Sequence, residues 1–284
     1  GNYTFSIKVD SSGEPTWVSL GDKGYIIYSL AVYDGNLFTG QSDGTLGAYN
    51  SGSNVWSSLG SKGTASVISS LIVKDGNLFT GQGDGTLGTY NSVSKVWTSL
   101  GRKGLSINSL AIYDGKLFIG DGDGTLRTYN SGIWSDLGVK GQLGIYSLAV
   151  YDGKLFTGSG DGTLGTYNST GGWTNLGNKG RGIISIIEYD GNLFTGQSGG
   201  TLGTYNSTNG WSSLGDKVSA IYSLAVYDGK LFTGQWDGTL GTYNSTNGWS
   251  SLGSKGSTIY SLTVYDGKLF TGQYDGTLGF YSWR

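Results

Sequence analysis

The chain has 284 residues, 36% of them apolar, and its 18 basic and 20 acidic side chains leave a net charge of −2. It contains no Cys, no His and no Met, which excludes disulfides, thiolate nucleophiles, zinc sites built on those ligands and imidazole catalysis. The charges are scattered one or two at a time and the longest apolar runs are strand-sized, so neither a nucleic-acid partner nor membrane insertion is expected.

In chain order, residues 1–14 come first, and within them residues 4–10 alternate apolar and polar and read as an extra outer strand. Its alternative is strand exchange with another subunit, that is, self-assembly through the N-terminal strand. A chain that starts at Gly1 and has no Met reads as one that has lost an initiator segment by signal cleavage or tag removal. Residues 15–21 hold Trp17 in a strand-like run. From there one unit recurs, with its first Asp-Gly at Asp34, Asp75, Asp114, Asp152, Asp190, Asp228 and Asp266, in steps of 41, 39 and then 38 residues. A period near 40 built from short strands is the signature of a β-propeller.

The copy from Ile221 shows the elements. Ile221 to Tyr227 reads as strand a, apolar or aromatic at nearly every position and so covered on both faces. Asp228-Gly229 is a type I′ hairpin signal. Lys230 to Gln235 is strand b, Asp237-Gly238 a second tight turn, and Thr239 to Tyr243 strand c. Asn244 to Gly248 is a turn cluster, and Trp249 to Gly253 is strand d. The last copy stops after strand c, and residues 15–21 supply the missing strand d to residues 256–284. Trp17 thereby joins Trp56, Trp97, Trp134, Trp173, Trp211 and Trp249. The expected fold is all-β: residues 1–284 form a single seven-bladed propeller of four-stranded antiparallel blades, closed between its two ends so that the last blade is not left short of a strand.

The segment from Leu20 to Val32, continuing from Tyr33 to Asn50, resembles an ungapped WD repeat. Lys23 falls where that family carries the His of its Gly-His pair, Tyr49-Asn50 falls on its Trp-Asp, and Asp43 on its turn Asp. The spacing of Tyr49 to Trp56 and of Tyr90 to Trp97, with the phrase YDGKLF, is similar to kelch repeats, although the double Gly of kelch is absent. The resemblance covers nearly the whole chain. It implies a propeller and a binding scaffold rather than any particular partner.

The Lys residues at the family's His position are Lys23, Lys62, Lys103, Lys140, Lys179, Lys217 and Lys255, all in d-to-a loops. The b-to-c turns carry Asp43, Asp84, Asp123, Asp161, Asp237 and Asp275. Both sets belong to one face, so a ring of Lys–Asp pairs is expected, worth ~0.2–1 kcal/mol each where exposed. Gly199 stands where the fifth Asp belongs, leaving Lys179 without its partner. Asp121-Gly-Asp123 resembles the opening of a calcium loop, but the later ligands do not follow, so no metal and no cofactor are expected.

Catalysis would have to use carboxylates, Lys, Tyr or Ser. The recurring Asp-Gly pairs read as turn chemistry, and Glu188 as a tolerated substitution in strand a, so no catalytic residue is assigned. A carboxylate-dependent hydrolase or lyase is the least favoured reading. The residue before the second Asp-Gly is Ser or Gly in five copies but becomes Trp236 and Tyr274 in the last two. Trp236, Asp237, Tyr274 and Asp275 are therefore the candidate ligand site, where exposed rings beside carboxylates would meet a carbohydrate or a protein loop. The expected function is non-enzymatic, multivalent binding by a monomer. A structural or surface-coat scaffold is the alternative, as is a recently amplified or idealised repeat with no evolved ligand. Asn-x-Ser/Thr sites at Asn2, Asn168, Asn206 and Asn244 suit an extracellular or cell-surface location, though the same residues are ordinary in turns.

Overall fold

The a-to-b turns bend as Asp-Gly demands: Asp34 and Gly35 have φ of 47° and 70°, and the other six pairs repeat this left-handed geometry. The structure, a computed structural model, describes residues 16–282. It contains 28 strands in seven antiparallel sheets of four. Blade 1 comprises Ile27–Tyr33, Asn36–Gln41, Thr45–Asn50 and Val55–Ser61 as strands a to d. Blades 2 to 6 repeat that order along the chain, beginning at Ile68, Ile107, Ile145, Ile183 and Ile221.

Blade 7 takes strands a to c from Ile259–Tyr265, Lys268–Gln273 and Thr277–Ser282, and strand d from Thr16–Asp22. The register pairs Trp17 with Tyr281, as Trp56 pairs with Tyr49 in blade 1. The ring is thus closed by sequence from both ends. The extra strand expected at residues 4–10, and the glycosylation signal at Asn2, lie outside the described residues. Among the described residues no helix is long and apolar enough to cross a membrane.

Strands a of successive blades pack side by side around the axis, that of blade 7 against that of blade 1. Close approach between blades depends on the Gly of strand b. A Cβ on Gly40 would lie 2.6 Å from Ile68 of the next blade, and one on Gly272 would lie 2.4 Å from Ile27 across the closure. Those Ile side chains are fully buried in every blade, each burial contributing about 1.5–3 kcal/mol. The ring is thereby cemented blade to blade.

The d-to-a loops and b-to-c turns share one face, called upper here; the a-to-b and c-to-d turns form the lower face. On the lower face the Asn168, Asn206 and Asn244 side chains accept hydrogen bonds from the c-to-d turn amides, at 3.1 Å from Thr170, Thr208 and Thr246. Turn capping thus accounts for Asn at these positions.

Candidate functional site

The upper face is knit by backbone. The amide of Lys62 donates to the Gly44 carbonyl at 2.8 Å, and that of Lys23 to Gly276 at 2.9 Å. The carbonyls of Lys23, Lys62 and Lys179 then accept from Gln41, Gln82 and Gln197 of the following blade. Each of these three loops therefore clamps two blades.

The expected Lys–Asp ring does not form. The ammonium groups of Lys23, Lys62, Lys179, Lys217 and Lys255 turn back to the Leu carbonyl three residues earlier, at 2.5–2.6 Å. Burial pushes Lys23, Lys62, Lys217 and Lys255 below the usual lysine range. Lys140 lies 5.5 Å from the centre of the Trp173 ring. The carboxylates are occupied locally: Asp43, Asp84, Asp123, Asp161, Asp237 and Asp275 each accept from the amide two residues on, at 2.8–2.9 Å. The expected register also shifts by one blade. Lys103 meets the turn of Asp84 and Gly85, and Lys217, rather than Lys179, meets the turn of Gly199 and Gly200.

Asp121 and Asp123, whose spacing resembles the opening of a calcium loop, are both engaged by Arg127. This is the only blade in which strand c carries Arg where the others have Gly. Its guanidinium reaches Asp121 at 2.8 Å and Asp123 at 2.9 Å, with Asp136 at 3.7 Å, and so supplies the positive charge a cation would have brought. Burial pushes the Asp121 carboxyl up, against the amides of Asp123 and Leu105 and the charge of Arg127. Burial opposes ionisation of Asp123 too, but hydrogen bonds from Arg127 and Thr125 outweigh it and hold that carboxyl down at about 2.

Trp236 and Tyr274 behave differently: they stay 55% and 52% exposed. Their turns are held by Thr258, whose hydroxyl donates to the Trp236 carbonyl and whose carbonyl accepts from the Tyr274 amide at 2.9 Å. The two tips are thus fixed relative to each other. They continue inward over three residues that sequence reasoning missed. Trp236 stands 6.1 Å from Tyr222, Tyr222 5.0 Å from Tyr260, Tyr260 6.2 Å from Tyr274, and Tyr260 4.7 Å from Tyr28. Tyr28, Tyr222 and Tyr260 occupy the second position of strand a, which is half-buried rather than covered on both faces.

The signal was in the sequence. That position reads Tyr28, Ser69, Asn108, Tyr146, Ile184, Tyr222 and Tyr260, so Tyr recurs in the two copies that carry Trp236 and Tyr274. The outcome is an arc of five rings across blades 6, 7 and 1 at the upper mouth of the ring. Burial and the phenols of Tyr28 and Tyr222 push the Tyr260 hydroxyl up to about 12. Asp237 and Asp275 lie exposed beside the arc.

No family model matches the sequence, and no curated protein matches it. Solved structures do. A chain of the mitotic checkpoint complex superposes with a TM-score of 0.80 at 16% identity, over 99% of this chain and 98% of that one. The WD40 β-propeller domain of Doa1 gives 0.78 at 16% identity, over 95% of this chain and 98% of that one. The computationally designed Ika8 protein gives 0.70 at 19% identity, over 94% and 98%. At these identities the likeness establishes the architecture, a seven-bladed propeller of WD40-like form, while the ligand has to be argued from this chain's own surface.

Proposed function

We propose that this propeller is a non-enzymatic docking module whose upper mouth takes a cationic segment, bearing Arg or Lys, of a partner protein. The observation that carries the reading is the five-ring arc with its two exposed tips. Contiguous exposed aromatic surface on a rigid frame is a feature of interaction sites, and Trp and Tyr supply large contact area at low entropic cost. The charge of the partner follows from the surroundings. Among the described residues no ion pair reaches Asp237 or Asp275, because Lys23 and Lys255 spend their ammonium groups on Leu carbonyls. An arginine laid over Trp236 would gain ring attraction of about 0.5–2 kcal/mol and a carboxylate at its edge.

Other exposed apolar side chains on this face, Tyr25, Leu105, Leu143 and Val218, extend the surface around the rim. The groups with displaced carboxyl pKa in blade 3 are engaged with Arg127, which favours binding over acid–base catalysis.

The test is a titration of the intact protein with short Arg-bearing peptides and their Gln analogues, followed by Trp fluorescence, beside a glycan array. Saturable binding of the Arg peptide, lost in a Trp236→Ala, Tyr274→Ala double variant and weakened in Asp237→Asn, is the expected result. Equal affinity for the Gln analogue would remove the cationic partner. Sugar binding lost in the same double variant would replace it with a lectin.

A further inference from the structure

Six of the seven blade boundaries are closed on the lower face by the same aromatic triad. The Tyr ending strand a packs on the Phe of strand b, which packs on the Tyr of strand c in the next blade. Tyr33, Phe38 and Tyr90 do so at 5.4 and 5.8 Å, and Tyr265, Phe270 and Tyr49 do so at 5.6 and 5.7 Å. In each of the six the phenol also donates to a Gly carbonyl of the neighbouring a-to-b turn, as Tyr33 does to Gly76 at 3.0 Å. Two of the hydroxyls further accept from a backbone amide: Tyr33 from Ser92 at 3.1 Å, and Tyr265 from Ser51 at 3.2 Å.

The boundary between blades 2 and 3 lacks the first ring. Lys74 stands in its place and turns its ammonium to the carboxylate of Asp75. Two consequences are visible. Phe79 is half-buried, whereas its six counterparts are at most 4% exposed. A pocket of about 250 Å³, open to solvent on one side, lies against Phe79, Leu100 and Tyr129, with Lys74, Asp75 and Asn77 also in its lining. By volume the pocket admits a single six-membered ring, since ~150 Å³ is enough for benzene, and its polar lining favours a ring that carries a hydroxyl.

We infer that the blade 2–3 boundary is a binding site for a small phenol, whose ring completes the seventh triad between Phe79 and Tyr129. Its hydroxyl takes the role that Tyr33 plays one boundary earlier, donating to the Gly115 carbonyl and accepting from Ser131. The site is on the face opposite the aromatic arc, and neither its presence nor its absence bears on docking there.

The experiment is a titration of the full chain with para-cresol, read by two-dimensional NMR, with toluene as the ring lacking a hydroxyl. Saturable shifts confined to Phe79, Tyr129, Ser131 and their neighbours are expected, with toluene at least about tenfold weaker for want of the hydroxyl's two hydrogen bonds. A Lys74→Tyr variant, which fills the slot as the sister blades do, should lose para-cresol binding and melt higher. Absence of saturable binding, shifts mapping elsewhere, or undiminished binding by Lys74→Tyr would each overturn the assignment. The shift map on the unaltered chain decides the matter even if the variant fails to fold.

Discussion

Blades 3 and 6 share a backbone and differ in how their departures from the repeat are compensated. In blade 6 the indole of Trp249 lies flat over Gly241 and donates to the Thr233 hydroxyl at 3.2 Å, with Gln235 buried beside it. In blade 3 all three partners change at once: Arg127 replaces the Gly, Ile119 the Thr and Asp121 the Gln. Arg127 claims space the indole would use, so Trp134 packs edge-on against Tyr129 at 5.2 Å. Ile119 removes a hydroxyl that would otherwise lack its indole, and Asp121 neutralises the buried guanidinium. A departure answered by its neighbours is architecture. Trp236, Tyr274 and Lys74 are not answered in this way: two leave rings in solvent and one leaves a cavity, which is why function is sought there.

The comparison can be broken most severely by removing one member of the blade 3 set. Arg127→Gly should cost about 3–5 kcal/mol in urea unfolding, because Asp121 is left buried without its counter-charge. Adding Ile119→Thr and Asp121→Gln, which rewrites blade 3 as blade 6, should recover most of that loss. If the single and triple variants unfold alike, the three substitutions are not coupled. The reciprocal change is smaller. A Cβ at Gly241 would sit 2.5 Å from the Trp249 indole nitrogen, so Gly241→Ala should lower stability by about 1–3 kcal/mol.

A pH titration sharpens the contrast from the aromatic side. The Tyr260 phenol rises from 10.0 to about 12 on folding, so above pH 10 the unfolded chain gives up that proton first. Stability contributed by the neutral phenol is complete below pH 10 and is lost as pH climbs toward 12. Melting temperatures over that window should fall, and fall less steeply for Tyr260→Phe. The smallest expected effect is at the tips. Trp236→Ala with Tyr274→Ala should change unfolding stability by only about 0.5 kcal/mol per site, as exposed positions do, while abolishing the docking proposed for the arc. A large loss of stability would instead make these rings part of the fold.

Much of this was legible from spacing alone. Asp-Gly at a fixed offset sets a type I′ turn through two residues' own φ preferences, and seven Trp strands against seven a-b-c units dictate closure between the chain ends. The Lys–Asp ring was misread because its logic was alignment rather than geometry. Lys and Asp recur in phase, but a four-carbon stem finds the Leu carbonyl of its own strand before any carboxylate, and the Asp is already engaged by the next turn amide. The partner of Asp121 and Asp123 was hidden for a similar reason, since Arg127 lies beside both carboxylates only when strand c folds back on strand b.

The sequence by itself determined the blade count, the strand order, the turns and the position of the two exposed tips, because these depend on local conformational preference and on period. Only the tertiary structure decided which side chains meet between blades. That Tyr28 of the first blade touches Tyr260 of the last, extending the arc of Trp236, follows from closing the ring, and that Lys74 leaves a ring-sized pocket against Tyr129 follows from packing one blade on the next. Closure brings residues more than two hundred positions apart within van der Waals reach, and no periodicity along the chain encodes which of them then lack a neighbour.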